Sequence, residues 1–321
     1  TACSDTWDDH YDAKSASVQQ GTLWQAIKQN GHLNNFASVL EACGYDKSLA
    51  SSQVFTVFAP TDDNFSAEEA AQLIAAYNAE KGSVSDEDNT VVKEFIRNHI
   101  AMYNYSVSPT TNDTLVMMNG KYVSLSSGRI GGSAFDPDQT NQLYENGLLF
   151  VINHKVDFEP NVFEYLRKDS ELDSLSSFLY DSHFYRKEFE PSLSVAGGFQ
   201  DGKTVYLDSV FTQVNELYSI LGANLSREDS TYWMVAPTNQ VWKQLIEQYE
   251  PYFNYDEKVE KHDSVAYTNT RKAIVEGTIF SRTFNTDASL QDSAFSTSAD
   301  RLGVHPLLPQ PGRRERFYLL R

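Results

Sequence analysis

The chain has 321 residues, of which 40% are hydrophobic and 13% aromatic, and its formal net charge at pH 7 is −18. This composition and length are typical of a folded protein with about two domains. The acidic balance disfavours nucleic acid as a partner, because binding to phosphate needs a basic surface. No stretch approaches the roughly 18 consecutive apolar residues of a membrane-spanning helix.

The first residues predict a lipid-anchored leader. A small residue, Ala2, precedes Cys3, and a polar, acidic run follows. This pattern resembles the end of a bacterial lipoprotein signal, with Cys3 as the lipidated residue, and the acidic run resembles the surface-export signal of Bacteroidota lipoproteins. We therefore expect residues 1–19 to tether the protein to the outer membrane, facing the cell exterior. The alternative is an ordinary unstructured N-terminus.

From Gly21 onward, apolar residues recur at helical spacing, with a break near Gly31. The pattern predicts two short helices that end at Gly44, since glycine commonly follows a helix. Cys43 lies on the apolar stripe of the second helix, which favours a small buried hydrophobe over a disulfide with Cys3. Neither cysteine has a CxxC partner, so zinc binding and thioredoxin-like chemistry have no support.

The next element is a β-prone run that ends in Pro60 and Thr61. Because proline cannot donate to a sheet, this predicts a buried strand that ends near Pro60 and leads into a helix with Thr61 as its N-cap. Residues 232–242 contain a closely similar phrase, in which Pro237 and Thr238 take the same places. Two copies of an unusual strand-to-helix corner predict an internal repeat.

A further helix is predicted just before Ile100, with Val92, Phe95, Ile96 and His99 on one face. This placement favours a core histidine that bonds to the backbone, and a contact with a ligand or a partner is the alternative. A metal ligand is disfavoured because no second histidine, cysteine or carboxylate has suitable spacing.

The pattern then changes from helical to extended. Asn119 and Gly120 separate two β-prone runs and predict a tight hairpin. The glycine-rich residues 126–132 are interpreted as turns between strands, because no helix follows them. Residues 136–138 lack the glycine and the terminal glutamate of a calcium loop, so we predict a surface loop there.

This order of elements resembles a fasciclin domain. The first sequence motif of that family matches residues 55–65, and the second matches the helix that ends at Asn98 and His99. The closing strand of the family matches residues 146–153, with Phe150 where histidine is usual. The resemblance implies an α+β fold, a β-wedge of two sheets flanked by helices.

The same resemblance implies roles for individual residues. Asn98 and His99 match a region linked to adhesion and are the candidate binding residues. The residues that build the strand-to-helix corner are Pro60, Thr61, Asn64 and Phe65, with Pro237 and Thr238 in the second copy.

The second copy can be followed along the chain. The first helix pair lines up without a gap with residues 162–179, and the histidine-bearing helix lines up with residues 272–279, where Thr278 replaces His99. The second copy has more residues between its helix pair and its strand than the first copy. This difference predicts an insertion over about residues 182–224, with an extra strand after a tight turn.

We therefore predict tandem fasciclin-like domains at residues 20–157 and 158–300. The second lacks its expected hairpin and closing strand, so it is predicted to be incomplete, through a truncated or frameshifted end or as a natural half-domain. Residues 301–321 are rich in arginine and proline. We predict that they are disordered or non-native, and a tail that binds an acidic partner is the alternative.

No HExxH, P-loop, GxSxG or GxGxxG pattern is present, so we predict no enzyme, no cofactor and no metal. The resemblance implies a non-enzymatic cell-surface adhesion or interaction lipoprotein that binds an extracellular protein or glycan. The alternative is an accessory carbohydrate-binding lipoprotein of a glycan-uptake system, with tyrosines that stack on sugar rings. The candidate tyrosines are Tyr103, Tyr105, Tyr252 and Tyr255.

Overall fold

The computed structural model describes residues 18–228, 232–281 and 317–320. The described residues divide into two compact units. The first runs to Phe158 and also includes Phe189–Phe211, and the second consists of Glu159–Glu188 and the residues from Thr212 onward. The predicted lipidation site, Cys3, and most of the predicted tail lie outside the described residues.

The first unit has an α+β fold. Its helices are α1 (Leu23–Gln29), α2 (Asn34–Ala42), α3 (Tyr45–Leu49) and α4 (Ala67–Glu80), followed by a π-helix at Val92–Ile96. Its strands up to Phe158 are β1 (Phe55–Pro60), β2 (Ile100–Met102), β3 (Asn112–Val116), β4 (Tyr122–Ser126), β5 (Arg129–Ile130), β6 (Ser133–Ala134), β7 (Gln142–Tyr144) and β8 (Gly147–Ile152). They form two sheets, ordered β2-β1-β8-β7 and β3-β4-β5-β6, in which β1 and β8 pair in parallel and the other pairs are antiparallel.

The sheet that contains β1 and β8 is buried on both faces. Val57 and Val151 belong to the core that the sheet shares with the helices, whereas Phe58 and Phe150 belong to the core between the two sheets. The rings of Phe58 and Phe150 stack with 5.2 Å between their centroids. Burial on both faces explains why these two strands are continuous apolar runs and do not alternate with polar residues.

The strand-to-helix corner follows the prediction in part. β1 ends at Pro60 as expected. The prediction that Thr61 caps the next helix is wrong, because the N-cap of α4 is Ser66. The carbonyl of Thr61 instead accepts the amides of Asn64 and Phe65 at 3.1 and 2.9 Å, which makes a separate turn before the helix.

The tight turn between β7 and β8 requires glycine at position 147. Gly147 has φ +145°, and a Cβ there would lie 1.9 Å from the carbonyl oxygen of Phe55. The preceding Asn146 is buried. Its Oδ1 accepts the amide of Leu23 at 2.7 Å, and its Nδ2 donates to the carbonyl of Leu49 at 2.8 Å. The Asn-Gly pair therefore connects the closing strand to the helices.

The rest of the described chain is again mixed helix and sheet. The helices are α5 (Val162–Tyr165), α6 (Asp173–Leu179), α7 (Leu217–Leu221), α8 (Asn239–Tyr249) and α9 (His262–Glu276), with short 3₁₀ turns at Ser170–Leu172, Pro191–Leu193 and Glu250–Phe253. The strands are β9 (Tyr185–Phe189), β10 (Val195–Gln200), β11 (Lys203–Asp208), β12 (Phe211–Asn215), β13 (Tyr232–Pro237), β14 (Ile279–Ser281) and β15 (Phe317–Leu320). β9 pairs with β12, β10 with β11, and β13 lies between β14 and β15.

The end of the chain differs from the prediction. We expected no closing strand in the second copy and no structure in residues 301–321, yet β15 occupies residues 317–320. It pairs with β13 on the side opposite β14, but it runs antiparallel to β13, whereas β8 runs parallel to β1.

The predicted insertion contains β9 to β12, and the extra strand expected after Gly202 is β11. The predicted domain boundaries need a correction, because the β10–β11 hairpin belongs to the first unit and not to the second. The physical reason is burial, since Val195 of β10 is fully buried in the core of the first unit. None of the described helices is both long and apolar enough to cross a membrane.

Candidate functional site

The candidate binding residue His99 lies in the core, with none of its surface exposed. Its Nδ1 is 2.7 Å from the carbonyl oxygen of Phe95, and its Nε2 is 2.9 Å from the amide of Val156. A neutral ring satisfies both contacts, with Nδ1–H donating and Nε2 accepting. Burial lowers the pKa of His99 to about 4, so the ring is neutral at physiological pH.

Asn98 is also buried and fully bonded. Its Nδ2 donates to the carbonyls of Val156 and Asp157 at 2.9 and 3.1 Å, and its Oδ1 accepts from Asn119 at 2.9 Å. Together with His99 it holds the segment that follows β8 against the end of the π-helix. The burial of both side chains speaks against direct contact with a partner and gives them a structural role.

The two strand-to-helix corners share more than their sequence. Neither α2 nor α6 has a capping side chain at its own N-cap position. In the first unit, Asp62 accepts the amides of Asn34 and Asn35 at 3.1 and 2.8 Å. In the second unit, Asn239 accepts the amide of Ser174 at 2.7 Å. Asp62, which follows Thr61, therefore caps α2, and Asn239, which follows Thr238, caps α6. The match supports the internal repeat.

Comparison of the two units also explains how Thr278 can replace His99. The carbonyl of His99 accepts the amide of Phe58 at 2.9 Å, and the carbonyl of Thr278 accepts the amide of Val235 at 2.8 Å. The Thr278 hydroxyl also donates to the carbonyl of Val275, at 2.7 Å. Each side chain thus bonds back to its own helix end, and the second copy keeps the backbone contact without the histidine.

A buried charge cluster, which the sequence analysis missed, lies beside Asn98. Arg97 is only 1% exposed. Its Nη2 donates to Asp208 at 2.5 Å, its Nε donates to the Tyr45 hydroxyl at 2.9 Å, and its Nη1 pairs with Glu87. The Tyr45 hydroxyl donates to the other oxygen of Asp208 at 2.7 Å. No local spacing indicates this cluster, because Asp208 comes from β11, far along the chain.

Electrostatics make the cluster a permanent ion pair. Burial opposes the charge on Arg97, but Tyr45 and the two carboxylates outweigh it and raise the pKa of Arg97. Burial, together with the charge of Asp208, raises the pKa of Tyr45 well above its usual value, so the phenol stays protonated. Because the arginine donors are occupied by protein groups, the cluster is an anchor for the β10–β11 hairpin and not an open site.

Two of the residues that reach solvent after β2 are tyrosines. Tyr103 is 55% exposed and Tyr105 is 36% exposed, directly after the edge strand β2. The Thr56 hydroxyl donates to the carbonyl of Tyr103 at 2.7 Å and accepts the amide of Tyr105 at 2.9 Å. Tyr103 has φ +69°, an uncommon value for a side chain of this size. We call residues 103–105 the tyrosine edge, an exposed segment whose backbone is hydrogen-bonded to the Thr56 side chain.

The other two candidate tyrosines lie in the second unit. Tyr252 is largely exposed. Tyr255 is half-buried, and its hydroxyl accepts the side-chain amide of Asn269 at 2.8 Å. Within the ranges that the structure describes, no three histidine, cysteine or carboxylate side chains are grouped as they would be to hold a metal ion.

Comparison with protein families identifies the first unit. Residues 31–155 match the family model of the fasciclin domain. The matched segment of the first unit is therefore similar to a fasciclin domain. The matched segment contains the corner at Pro60, the Asn98–His99 pair, the tyrosine edge and the Asn146–Gly147 turn.

Among solved structures, the chain is similar to a FAS1 domain pair from the insect cell adhesion molecule fasciclin I. The two are 12% identical, with 84% of this chain and 81% of that chain covered, and the TM-score is 0.27. The internal repeat is supported by the matched corner contacts of Asp62 and Asn239. No curated protein sequence matches the chain.

Proposed function

We propose that this chain is a non-enzymatic adhesion or interaction protein that binds an extracellular protein or glycan through its fasciclin-like first unit. The observation that carries the proposal is the match of residues 31–155 to the fasciclin domain. Fasciclin domains are associated with adhesion and interaction.

The tyrosine edge is the part of the first unit that we assign to partner contact. Tyrosine offers a large, amphipathic contact area and is enriched at protein interfaces. The two hydrogen bonds to Thr56 restrain the backbone of the segment, and such restraint reduces the entropy that is lost when a partner binds. Asn98 and His99 are buried before the start of β2, whereas the tyrosine edge follows its end, so a variant at Asn98 or His99 acts through the fold.

The test is a binding screen of the whole chain against immobilised extracellular-matrix proteins and a glycan array. We expect at least one binder, and we expect the double variant Tyr103→Ser/Tyr105→Ser to weaken it about tenfold or more. Tyr122→Ser removes a tyrosine with 50% exposure from β4 of the same unit and is the matched control. Equal loss in both variants, or the absence of any binder, would contradict the proposal.

We also propose that the protein is held at the bacterial outer membrane by lipid on Cys3. The support is the sequence Thr1-Ala2-Cys3 followed by acidic residues. Expression of the gene with its natural leader in a Bacteroidota host, followed by mass spectrometry of the N-terminal peptide, tests this. Acylated Cys3 is the expected result, and an unmodified cysteine in the mature protein contradicts it.

A second candidate function is carbohydrate binding in a glycan-uptake system. The exposed rings of Tyr103, Tyr105 and Tyr252 favour it, because sugars stack on aromatic faces. The glycan array decides between the two candidates. Binders confined to the matrix proteins would support adhesion, and binders confined to the glycans would support carbohydrate binding.

A further inference from the structure

The second unit contains a groove between α6, α8 and α9 with a volume of about 640 Å³. This volume lies within the range of ligand pockets, which is roughly 300–1,000 Å³. Phe178 and Trp242 are almost fully buried and line its inner side, with ring centroids 6.0 Å apart, and Ile246 lines it beside them. The groove thus combines an apolar floor with a rim of charged side chains.

Arg271 stands out on that rim. Its guanidinium lies over the ring of Tyr267, 3.4 Å from the ring centroid, and its Nη1 donates to the carbonyl of Tyr267 at 3.1 Å. Arginine carries five N–H donors in a planar fork, so most of its donors remain available. No carboxylate among the described residues forms an ion pair with Arg271.

The other charged groups that line the groove have partners. Asp181 contacts Nδ1 of His183 at 2.6 Å, and Lys243 lies 4.0 Å from Glu247. Burial lowers the pKa of Arg271, although Tyr267 and Glu250 oppose that effect. A half-buried arginine remains charged in proteins, and an incoming carboxylate would replace the solvation that it has lost.

We propose that this groove binds an acidic peptide segment, with an Asp or Glu carboxylate on the Arg271 fork and a neighbouring apolar side chain on the Phe178–Trp242 floor. The fork geometry of arginine matches a carboxylate in a bidentate pair. A peptide fits better than an acidic sugar, because one face of the Tyr267 ring is already covered by the guanidinium and the floor is apolar. The site lies in the second unit and does not depend on the proposed function of the tyrosine edge.

The test uses the whole chain and two peptides with blocked termini, N-acetyl-Phe-Asp-Phe-amide and N-acetyl-Phe-Asn-Phe-amide. Each peptide is titrated into the protein, and binding is followed by NMR. The Asp peptide should shift the resonances of Trp242 and Tyr267 and bind about tenfold or more tightly than the Asn peptide. Arg271→Gln should remove that preference, and Arg271→Lys should reduce it, because lysine keeps the charge but loses the fork. Arg129→Gln removes an exposed arginine of β5 and should change nothing.

Three results would overturn the proposal. The first is equal binding of the Asp and Asn peptides, or no binding of either. The second is an Arg271→Gln variant that keeps the wild-type preference while its circular dichroism spectrum is unchanged. The third is binding of an oligoglucuronate by the groove without binding of the Asp peptide, which would assign the site to acidic sugars.

Discussion

Arg97 donates from Nη2 to Oδ1 of Asp208 at 2.5 Å, although the two residues are 111 positions apart in the sequence. Arg97 ends the π-helix segment of the fasciclin-like domain, and Asp208 ends β11 of the inserted hairpin. Both side chains are buried. This interior charge pair and the burial of Val195 together join an insertion of the second sequence repeat to the first folded unit.

Replacement of Arg97 by Gln should be strongly destabilising. The change leaves the carboxylate of Asp208 buried without its cation, and breaking a buried pair from one side costs about 3–5 kcal/mol. The measurement is the free energy of unfolding of the first unit in urea, followed by circular dichroism. Lys28→Gln is the matched control, because Lys28 pairs with Glu41 on the exposed surface of the same unit and should cost less than about 1 kcal/mol. Equal losses in the two variants would contradict the anchor role of Arg97.

His99 should make the first unit less stable in acid. The folded protein keeps the ring neutral down to about pH 4, whereas the unfolded chain binds a proton near pH 6.5. The stabilisation is complete above pH 6.5 and is lost as the pH falls from about 6.5 to about 4, with a total of about 3 kcal/mol. His99→Gln should lose this part of the pH dependence, and the exposed His32→Gln should keep it. Parallel stability curves for wild type and His99→Gln would count against the buried neutral histidine.

The shared corner predicts equal effects in the two units. Asp62→Ala and Asn239→Ala each leave backbone amides at a helix start without an acceptor, and each should cost about 1 kcal/mol. Asp63→Ala changes an exposed neighbour and should stay within about 0.5 kcal/mol of wild type. Hydrogen exchange of the amides of α2 and α6 is the measurement. Faster exchange in α2 alone, with α6 unaffected by Asn239→Ala, would show that the corners are not equivalent.

Gly147 should tolerate no side chain. An alanine Cβ would meet the carbonyl oxygen of Phe55 at 1.9 Å, and the positive φ of +145° adds strain. The two effects together should cost roughly 3 kcal/mol or more. Gly128→Ala adds a Cβ with nothing within 4 Å and should be nearly neutral, within about 0.5 kcal/mol. Thermal unfolding of the two variants compares them directly, and a Gly147→Ala protein as stable as Gly128→Ala would refute the close approach.

Local patterns in the sequence predicted several elements of the first unit. The apolar run that ends at Pro60 predicted β1, and the position of His99 on an apolar face favoured the buried interpretation that its bonds to Phe95 and Val156 satisfy. The capping role of Thr61 was wrong because a Pro-Thr pair can begin either a helix or an isolated turn. In this chain Ser66 provides the helix cap, so Thr61 begins a separate turn.

Contacts between distant parts of the chain could not be predicted from local patterns in the sequence. Nothing near Arg97 indicates that its partner lies on β11, since the partner is decided by how an insertion folds back. The strand β15 was missed because its register on β13 depends on long-range pairing and not on a local period. The groove at Arg271 was missed for a related reason, because its apolar floor comes from α6 and α8 while its cation comes from α9.

The central claim is that the fasciclin-like domain contacts a partner through the tyrosine edge while its interior residues only support the fold. The most direct measurement is the affinity of the whole chain for a binder found in the matrix-protein and glycan screen, compared between Tyr103→Ser/Tyr105→Ser and Tyr122→Ser. We predict a loss of about tenfold or more in the first variant and none in the second. Full affinity in the Tyr103→Ser/Tyr105→Ser variant would contradict the account.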